Sequence, residues 1–205
     1  MERRTNGQIL DAVRDILDEA STPYFSDAQI VSVFNAEYAD WLSDSARIAE
    51  RDEKKRRDLS PLIMRVTPTV SQGGVVDLNS LTVGLFRMLS VSADYTDCNS
   101  ERPVKPVSWD AYQTAKRDPF NAPTSREPAY LEIGETVHIV PPPRSVNLVY
   151  IKRPVPLSET EDDRIEVGYE VQTRLIERTA KKLAIPQFNS EVYQTLTAEG
   201  AGKEN

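Results

Sequence analysis

At Pro61 the texture of the chain changes, and that change restricts the fold more than any single residue does. Before it, apolar residues recur at the spacing of helices; after it, short β-like pieces alternate with turn residues. Ile9, Leu10, Val13, Ile16 and Leu17 fall on one side of a helical wheel with Asp11, Asp15 and Asp18 on the other, which predicts an amphipathic helix from Asn6 to Ala20. Pro23 ends that pattern. Ser26, followed three residues later by Gln29, forms a capping box for a second helix with Ile30, Phe34, Tyr38, Trp41 and Leu42 on one face. This helix is expected to run on through "SARIAERDEKKRRDL" to Pro61, supported by the i, i+4 pairs Glu50 with Lys54 and Glu53 with Arg57. Lys54, Lys55, Arg56 and Arg57 read first as a solvated helix end whose charge suits the C-terminal dipole, and second as a basic contact patch.

Beyond Pro61, "LIMRVTPTV" is strand-like but interrupted by Pro68. Gly73 and Gly74 form a turn ahead of Val75 and Val76, and Leu85 to Tyr95 alternates as a strand. Ser108 can cap a short helix from Trp109 to Lys116 that Pro119 stops. Pro128 to Pro143, "PAYLEIGETVHIVPPP", reads as a hairpin, and Val146 to Lys152 as a further strand. The acidic "VPLSETEDDRIEVG" predicts an exposed loop or hinge. Val171, Leu175, Ile176, Thr179 and Leu183 then return to helical spacing, a last short helix spans Ser190 to Glu199, and "GAGKEN" is a loose tail. Neither helical end can bury an apolar face alone. The expected fold is therefore α+β, with N- and C-terminal helices packed together beside a central antiparallel β-sandwich or small barrel. Its parts are residues 6–60 (helical), 61–157 (β-rich) and 158–205 (C-terminal helices and tail) of a single subunit.

The means for chemistry are sparse. Cys98 is the only cysteine and His138 the only histidine, so an intrachain disulfide and a CxxC-type zinc site are excluded, and a reducing compartment fits. No GxGxxG, GxxxxGK[ST] or GxSxG is present. Glu159 to Glu166 has the charge of a Ca²⁺ loop but lacks its central glycine and spacing. We therefore expect no catalytic residue, cofactor or metal. With no run of about 18 apolar residues, no membrane anchor is expected either. A net charge of −7 argues against a dedicated duplex-DNA binder.

The hairpin is the most informative stretch. With Gly134 and Glu135 as turn residues, glycine at the first position suits a type II′ turn, and the register pairs Ile133 with Thr136, Leu131 with His138, and Tyr130 with Ile139. One face carries Tyr130, Glu132, Val137 and Ile139; the other carries Leu131, Ile133, Thr136, His138 and Val140. His138 thus points away from Val137 and Ile139, with no catalytic partner nearby in sequence. Leu131, Ile133, His138 and Val140 form the candidate interface with a neighbouring subunit or partner. Pro141 to Pro143 end the ladder.

The order of these pieces, "SDAQIVSVFNAEYADWL", "LSPLI", "LFRMLSVSADY", "RPVKPVSWDAYQTAKRDPFNAP", "EPAYLEIGETVHIVPPP" and "VNLVYIKRPVPL", resembles the head-to-tail connector proteins of tailed bacteriophages over roughly Asp27 to Leu183. These are variously called adaptor, ring or tail accessory proteins, and include those of podovirus-like and crAss-like phages. The resemblance implies a non-enzymatic virion subunit, made in the host bacterial cytoplasm. It would form a ring of about twelve copies beneath the portal through heterologous contacts. Further tail or ring proteins would sit below, and DNA would pass through the lumen without sequence-specific binding. Two other classes remain in view. One is a monomeric or dimeric adaptor module contacting nucleic acid or another protein through Lys54 to Arg57 and Arg178 to Lys182; the other is a hydrolase using scattered carboxylates.

Overall fold

The computed structural model describes residues 3–17, 25–49, 51–97, 100–117, 120 and 122–200, with backbone alone for 115, 116 and 185–200. The expected helix end at Asp18 to Ala20, the breaks at Pro23 and Pro119, Glu50 of the Glu50–Lys54 pair, Cys98 and the tail from Ala201 lie outside the described residues. The chain divides into two units, Met1–Pro61 with Pro154–Asn205, and Leu62–Arg153.

The first unit is helical. Its α1, Asn6–Ile16, starts with a capping box: Thr5 Oγ1 accepts from the Gln8 amide at 3.3 Å and Gln8 Oε1 from the Thr5 amide at 3.0 Å. Ile9, Leu10 and Val13 are buried, whereas Ile16, expected on the same face, is 53 % exposed. Helix α2, Asp27–Ile48, begins at the predicted Ser26–Gln29 box and buries Ile30, Phe34, Tyr38, Trp41 and Leu42. It does not reach Pro61. The Asp52 carboxylate accepts from the Lys54 and Lys55 amides at 2.8 and 3.2 Å and starts a separate α3, Glu53–Leu59. An N-cap aspartate that satisfies free amides, where the apolar stripe has already thinned, makes a new start cheaper than continuation. Helix α5, Tyr169–Gly200, is one helix where two were expected; it buries Val171, Leu175, Ile176, Thr179 and Leu183 and packs on α1 and α2.

The acidic connection is an exposed loop, one of the two forms expected, and it is anchored at several points. Asn35 on α2 acts as a two-pronged clamp: its Nδ2 donates to the Leu157 carbonyl at 3.0 Å and its Oδ1 accepts from the Leu157 amide at 2.8 Å. The Asn6 and Gly7 amides donate to the Asp163 and Glu161 carbonyls at 2.7 and 3.1 Å. Leu157, Ile165 and Val167 are buried and Glu166 is half-buried, while Glu159, Glu161, Asp162 and Asp163 are exposed. Asn35→Ala strands both Leu157 backbone groups and is expected to lower unfolding free energy by about 1–2 kcal/mol, read as the urea midpoint.

The second unit is a curled, mixed seven-stranded sheet in a half-barrel. Its strands are β1 (Ile63–Val66), β2 (Val75–Asp77), β3 (Leu85–Asp94), β4 (Arg102–Pro106), β5 (Ala129–Ile133), β6 (Thr136–Val140) and β7 (Ser145–Lys152), ordered β1-β7-β3-β4-β5-β6-β2. All neighbours are antiparallel except β4 and β5, which run parallel and are joined by α4, Trp109–Arg117, as such a pair needs a crossover. Ser108 caps α4 as expected, its Oγ accepting from the Ala111 amide at 3.3 Å. Strand β4 was not anticipated, because "RPVKP" carries two prolines. Lys105 and Val107 donate to the Pro128 and Tyr130 carbonyls at 3.0 and 2.9 Å. Alternation puts the Pro103 nitrogen on that same side, ahead of where β5 pairing starts. The Pro106 nitrogen falls on the β3 side, past the last β3–β4 pair at Val104. Neither proline removes a needed donor. One sheet face supplies the core, including Val91, Val104, Tyr130, Val137, Ile139 and Leu148.

Candidate interaction surfaces

The hairpin forms with the predicted register: Ile133 opposite Thr136, Leu131 opposite His138, Tyr130 opposite Ile139. Gly134 takes φ +57°, which an L side chain adopts only with strain. Tyr130, Val137 and Ile139 enter the core, so Leu131, Ile133, His138 and Val140 share the opposite face. Leu131 is already buried at 7 % exposure and β5 is packed by α4, while Ile133 is 38 % exposed and His138 and Val140 are half-buried. Thr136 Oγ1 donates to the Ile133 carbonyl at 2.8 Å and lies 3.1 Å from His138 Nε2, which fits Nε2–H as the donor to it. His138 sits between Leu131 and Val75 on the adjoining strands.

Elsewhere the same sheet face carries a polar network, beside half-buried Val149 and buried Ile151 on β7. Ser92 on β3 and Asn147 on β7 are cross-strand partners, and both donate to Glu101, Asn147 at 2.7 Å. Arg65 on β1 lies 3.4 Å from the same carboxylate. The Ser92 and Asn147 hydrogen bonds hold Glu101 below the usual carboxylate range. A face that carries a solvated network over β1, β7 and β3 but Ile133 and Val140 over the hairpin is amphipathic along its length.

In the helical unit, Lys54 and Arg57 line a cavity of about 640 Å³ with Glu53, Asp58, Tyr169 and Glu170. Lys54, Arg56 and Arg57 are exposed and Lys55 half-buried; Arg57 lies 4.0 Å from Glu53, and Arg56 Nε donates to the Ala49 carbonyl at 3.3 Å. The second basic stretch turns inward instead: Arg178 and Lys182 both reach Glu37 at 2.8 Å.

Two groupings escaped the sequence reading. One is that Glu37 clamp, which adds Arg174 to Asp58 at 2.7 Å as a further ion pair from α5. The other brings Arg3, Arg4, Gln8, Arg164 and Tyr169 around a cavity of about 430 Å³. Neither leaves a linear signal, since their members stand well over a hundred residues apart. Among the described residues no group of three or more His, Cys, Asp or Glu could hold a metal ion, and no helix is long and apolar enough to cross a membrane.

Compared with known protein families, the chain matches the SU10 adaptor protein family over residues 4–198. No curated protein matches it.

Proposed function

The chain belongs to the SU10 adaptor protein family of phage head–tail adaptors, structural components of the virion, and we propose that it works as one subunit of a ring between portal and tail. The observation that carries this reading is the extent of the match, which spans both the helical unit and the half-barrel rather than one of them. The ring holds about twelve copies, each meeting the next through heterologous contacts, and the portal and further tail proteins bind above and below it. DNA passes through its lumen. A net charge of −7 supports a lumen that repels phosphate and lets the duplex slide.

The subunit contact in this proposal uses the hairpin face, with Ile133 as its exposed member and Leu131, His138 and Val140 behind it. Lys54 to Arg57 serve as a peripheral polar contact. Supporting the first assignment is the contrast between the apolar hairpin end and the polar Ser92–Asn147–Glu101 end of the same face.

Native mass spectrometry and negative-stain imaging, on the chain alone and mixed with portal protein, test the reading. Closed rings are expected in at least one condition. Ile133→Asp, which places a charge where the side chain is already 38 % exposed, should leave the subunit's melting temperature nearly unchanged while weakening assembly by about tenfold or more. A chain that stays monomeric in both conditions overturns the ring. Rings unaffected by Ile133→Asp move the contact off the hairpin.

A further inference from the structure

The sheet of the half-barrel ends in two edges, β1 and β2, and the chain treats them differently. At β2 the Ile139 amide donates to the Gly74 carbonyl and the Leu78 amide to the Glu135 carbonyl, each at 2.9 Å, so Val76 bonds β6 while Val75 and Asp77 turn their backbone groups out of the sheet. The chain itself occupies this edge. The Ser71 amide donates to the Val75 carbonyl at 3.0 Å, the Val75 amide donates to Ser71 Oγ at 3.1 Å, and Ser80 Oγ donates to the Asp77 carbonyl at 2.6 Å.

The β1 edge has no such cover. The Arg153 amide donates to the Gly84 carbonyl at 2.7 Å beside the Leu85–Lys152 pair, which sets the odd-numbered residues of β7 toward β3 and the even-numbered ones toward β1. Met64 and Val66, opposite Tyr150 and Leu148, therefore carry the bonds to β7, and Arg65 turns its amide and carbonyl outward. Thr67 continues the alternation, extended because Pro68 follows it; its Oγ1 donates to Asn147 Oδ1 at 2.5 Å and keeps it alongside β7. Among the described residues no hydrogen bond meets these outward amides and carbonyls.

A bare strand edge offers alternating donors and acceptors at a repeat that another extended backbone matches. Phosphates offer acceptors alone, so nucleic acid does not fit it. The two sides of β1 specify the side chains of the incoming strand. Met64 and Val66 are half-buried against the core, so residues added beside them gain by being apolar. Arg65 and Thr67 are exposed next to Glu101 and Asn147, so residues on that side gain by being polar. A second copy does not supply such a strand. Its β2 edge is taken, its other strands lie inside the sheet, and two β1 edges paired about a two-fold axis close on themselves and cannot continue round a ring. The residues of this chain outside the described set, 18–24 and 201–205 among them, hold no alternating apolar run.

We infer that the β1 edge receives an extended strand of alternating apolar and polar residues from a different virion protein, added to the sheet beside Arg65 and Thr67. That the partner is a virion protein rests on the adaptor reading above; that it is an extended backbone rests on the edge.

The test follows hydrogen exchange of the full chain, resolved to single amides by mass spectrometry, in the free chain, in rings of the chain alone and in whole tailed particles. In the free chain the Arg65 amide should exchange about a hundredfold faster than those of Met64 and Val66. It should stay fast in the rings and slow by about tenfold or more in the particle. Arg65→Pro deletes the outward amide without touching a bond to β7, so it should leave melting temperature and ring formation nearly unchanged and yield particles that carry the ring but lack the next component. Arg65→Lys keeps the amide and should assemble as the parent does. An Arg65 amide as fast in the particle as in the free chain overturns the proposal, as do Arg65→Pro particles that complete normally. Protection already present in rings of the chain alone gives the edge to a second copy and overturns it too. Where Arg65→Pro fails to fold, the exchange data on the parent chain still decide. If no ring forms from the chain alone, the ring reading fails, and the particle still decides this inference.

Discussion

Gly74→Ala should be the most damaging single-methyl change in the half-barrel, lowering unfolding free energy by about 3 kcal/mol or more and the melting temperature by roughly 6–12 °C. Two causes add. Gly74 sits at φ +75°, where an alanine is strained by about 1–2 kcal/mol. Its added Cβ would also stand 2.4 Å from the Ile139 carbonyl oxygen and 3.1 Å from Pro142 Cα, both backbone atoms. The turn cannot back away freely, because the Gly74 amide donates to the Ser71 carbonyl and its own carbonyl accepts from Ile139, each at 2.9 Å. Relief of the clash therefore breaks the seam that joins β2 to β6. Two controls separate the causes. Gly134→Ala carries the φ strain at +57° with open space around it, and should cost about 1 kcal/mol. Gly73→Ala meets nothing closer than Ser71 Oγ at 3.8 Å and should be near neutral. Urea titrations of the three variants give the comparison; a Gly74→Ala protein within 1 kcal/mol of the parent would refute the close-approach argument.

The helical unit's most sensitive charge is expected to be Glu37. Its side chain is 7 % exposed and receives Lys182 Nζ and Arg178 Nε at 2.8 Å each. Glu37→Ala should lower stability by about 2–3 kcal/mol, near the lower end for a broken buried pair, because the two orphaned cations are about half exposed and can rehydrate. The Lys182 hydrogen bond, against the opposing effect of burial, holds the Glu37 pKa below its ordinary 4.5. The unfolded chain then binds the proton more readily than the folded one. The clamp's contribution is complete above about pH 4.5 and disappears as pH falls through the lower folded value. Lys182 is shifted upward by the same hydrogen bond, so its share is present below 10.5 and lost only as pH rises through its raised value. Stability measured from pH 7 down to 3 should fall with a component that Glu37→Gln removes. Parallel parent and variant curves over that range would rule the clamp out as its source.

The Ser26–Gln29 box, the Ser108 cap and the hairpin register depend on residues a few positions apart, whose geometry is set by helix pitch or by the two-residue period of a strand. Misreadings came where a local rule competed with another group. Asp52 satisfies two amides and ends the long helix early. The acidic connection is an exposed loop, one of the two forms expected of it, and that Asn35, Asn6 and Gly7 pin it is a matter of distant partners that composition does not report. "RPVKP" reads as anything but a strand until its neighbours are known, since a proline is harmless only where the facing strand asks for no donor.

The candidate interface residues divide the same way. Alternation alone placed Leu131, Ile133, His138 and Val140 on one face and turned His138 from the core. That Leu131 is covered while Ile133 is open follows from burial, which no spacing in the sequence reports.

By itself, then, the sequence determined the Ser26–Gln29 and Ser108 caps, the hairpin with its two faces, the switch from helix to sheet at Pro61 and the α+β class, because each rests on interactions between near neighbours in the chain. Only the tertiary structure decided that Glu37 is the carboxylate that meets Lys182, 145 residues away, that Arg3 and Arg4 share a cavity with Arg164, and that Gly74 lies under Ile139. With 32 acidic and 25 basic residues, pairing is chosen by where packing brings side chains together, and packing is settled by the apolar cores of two separate units.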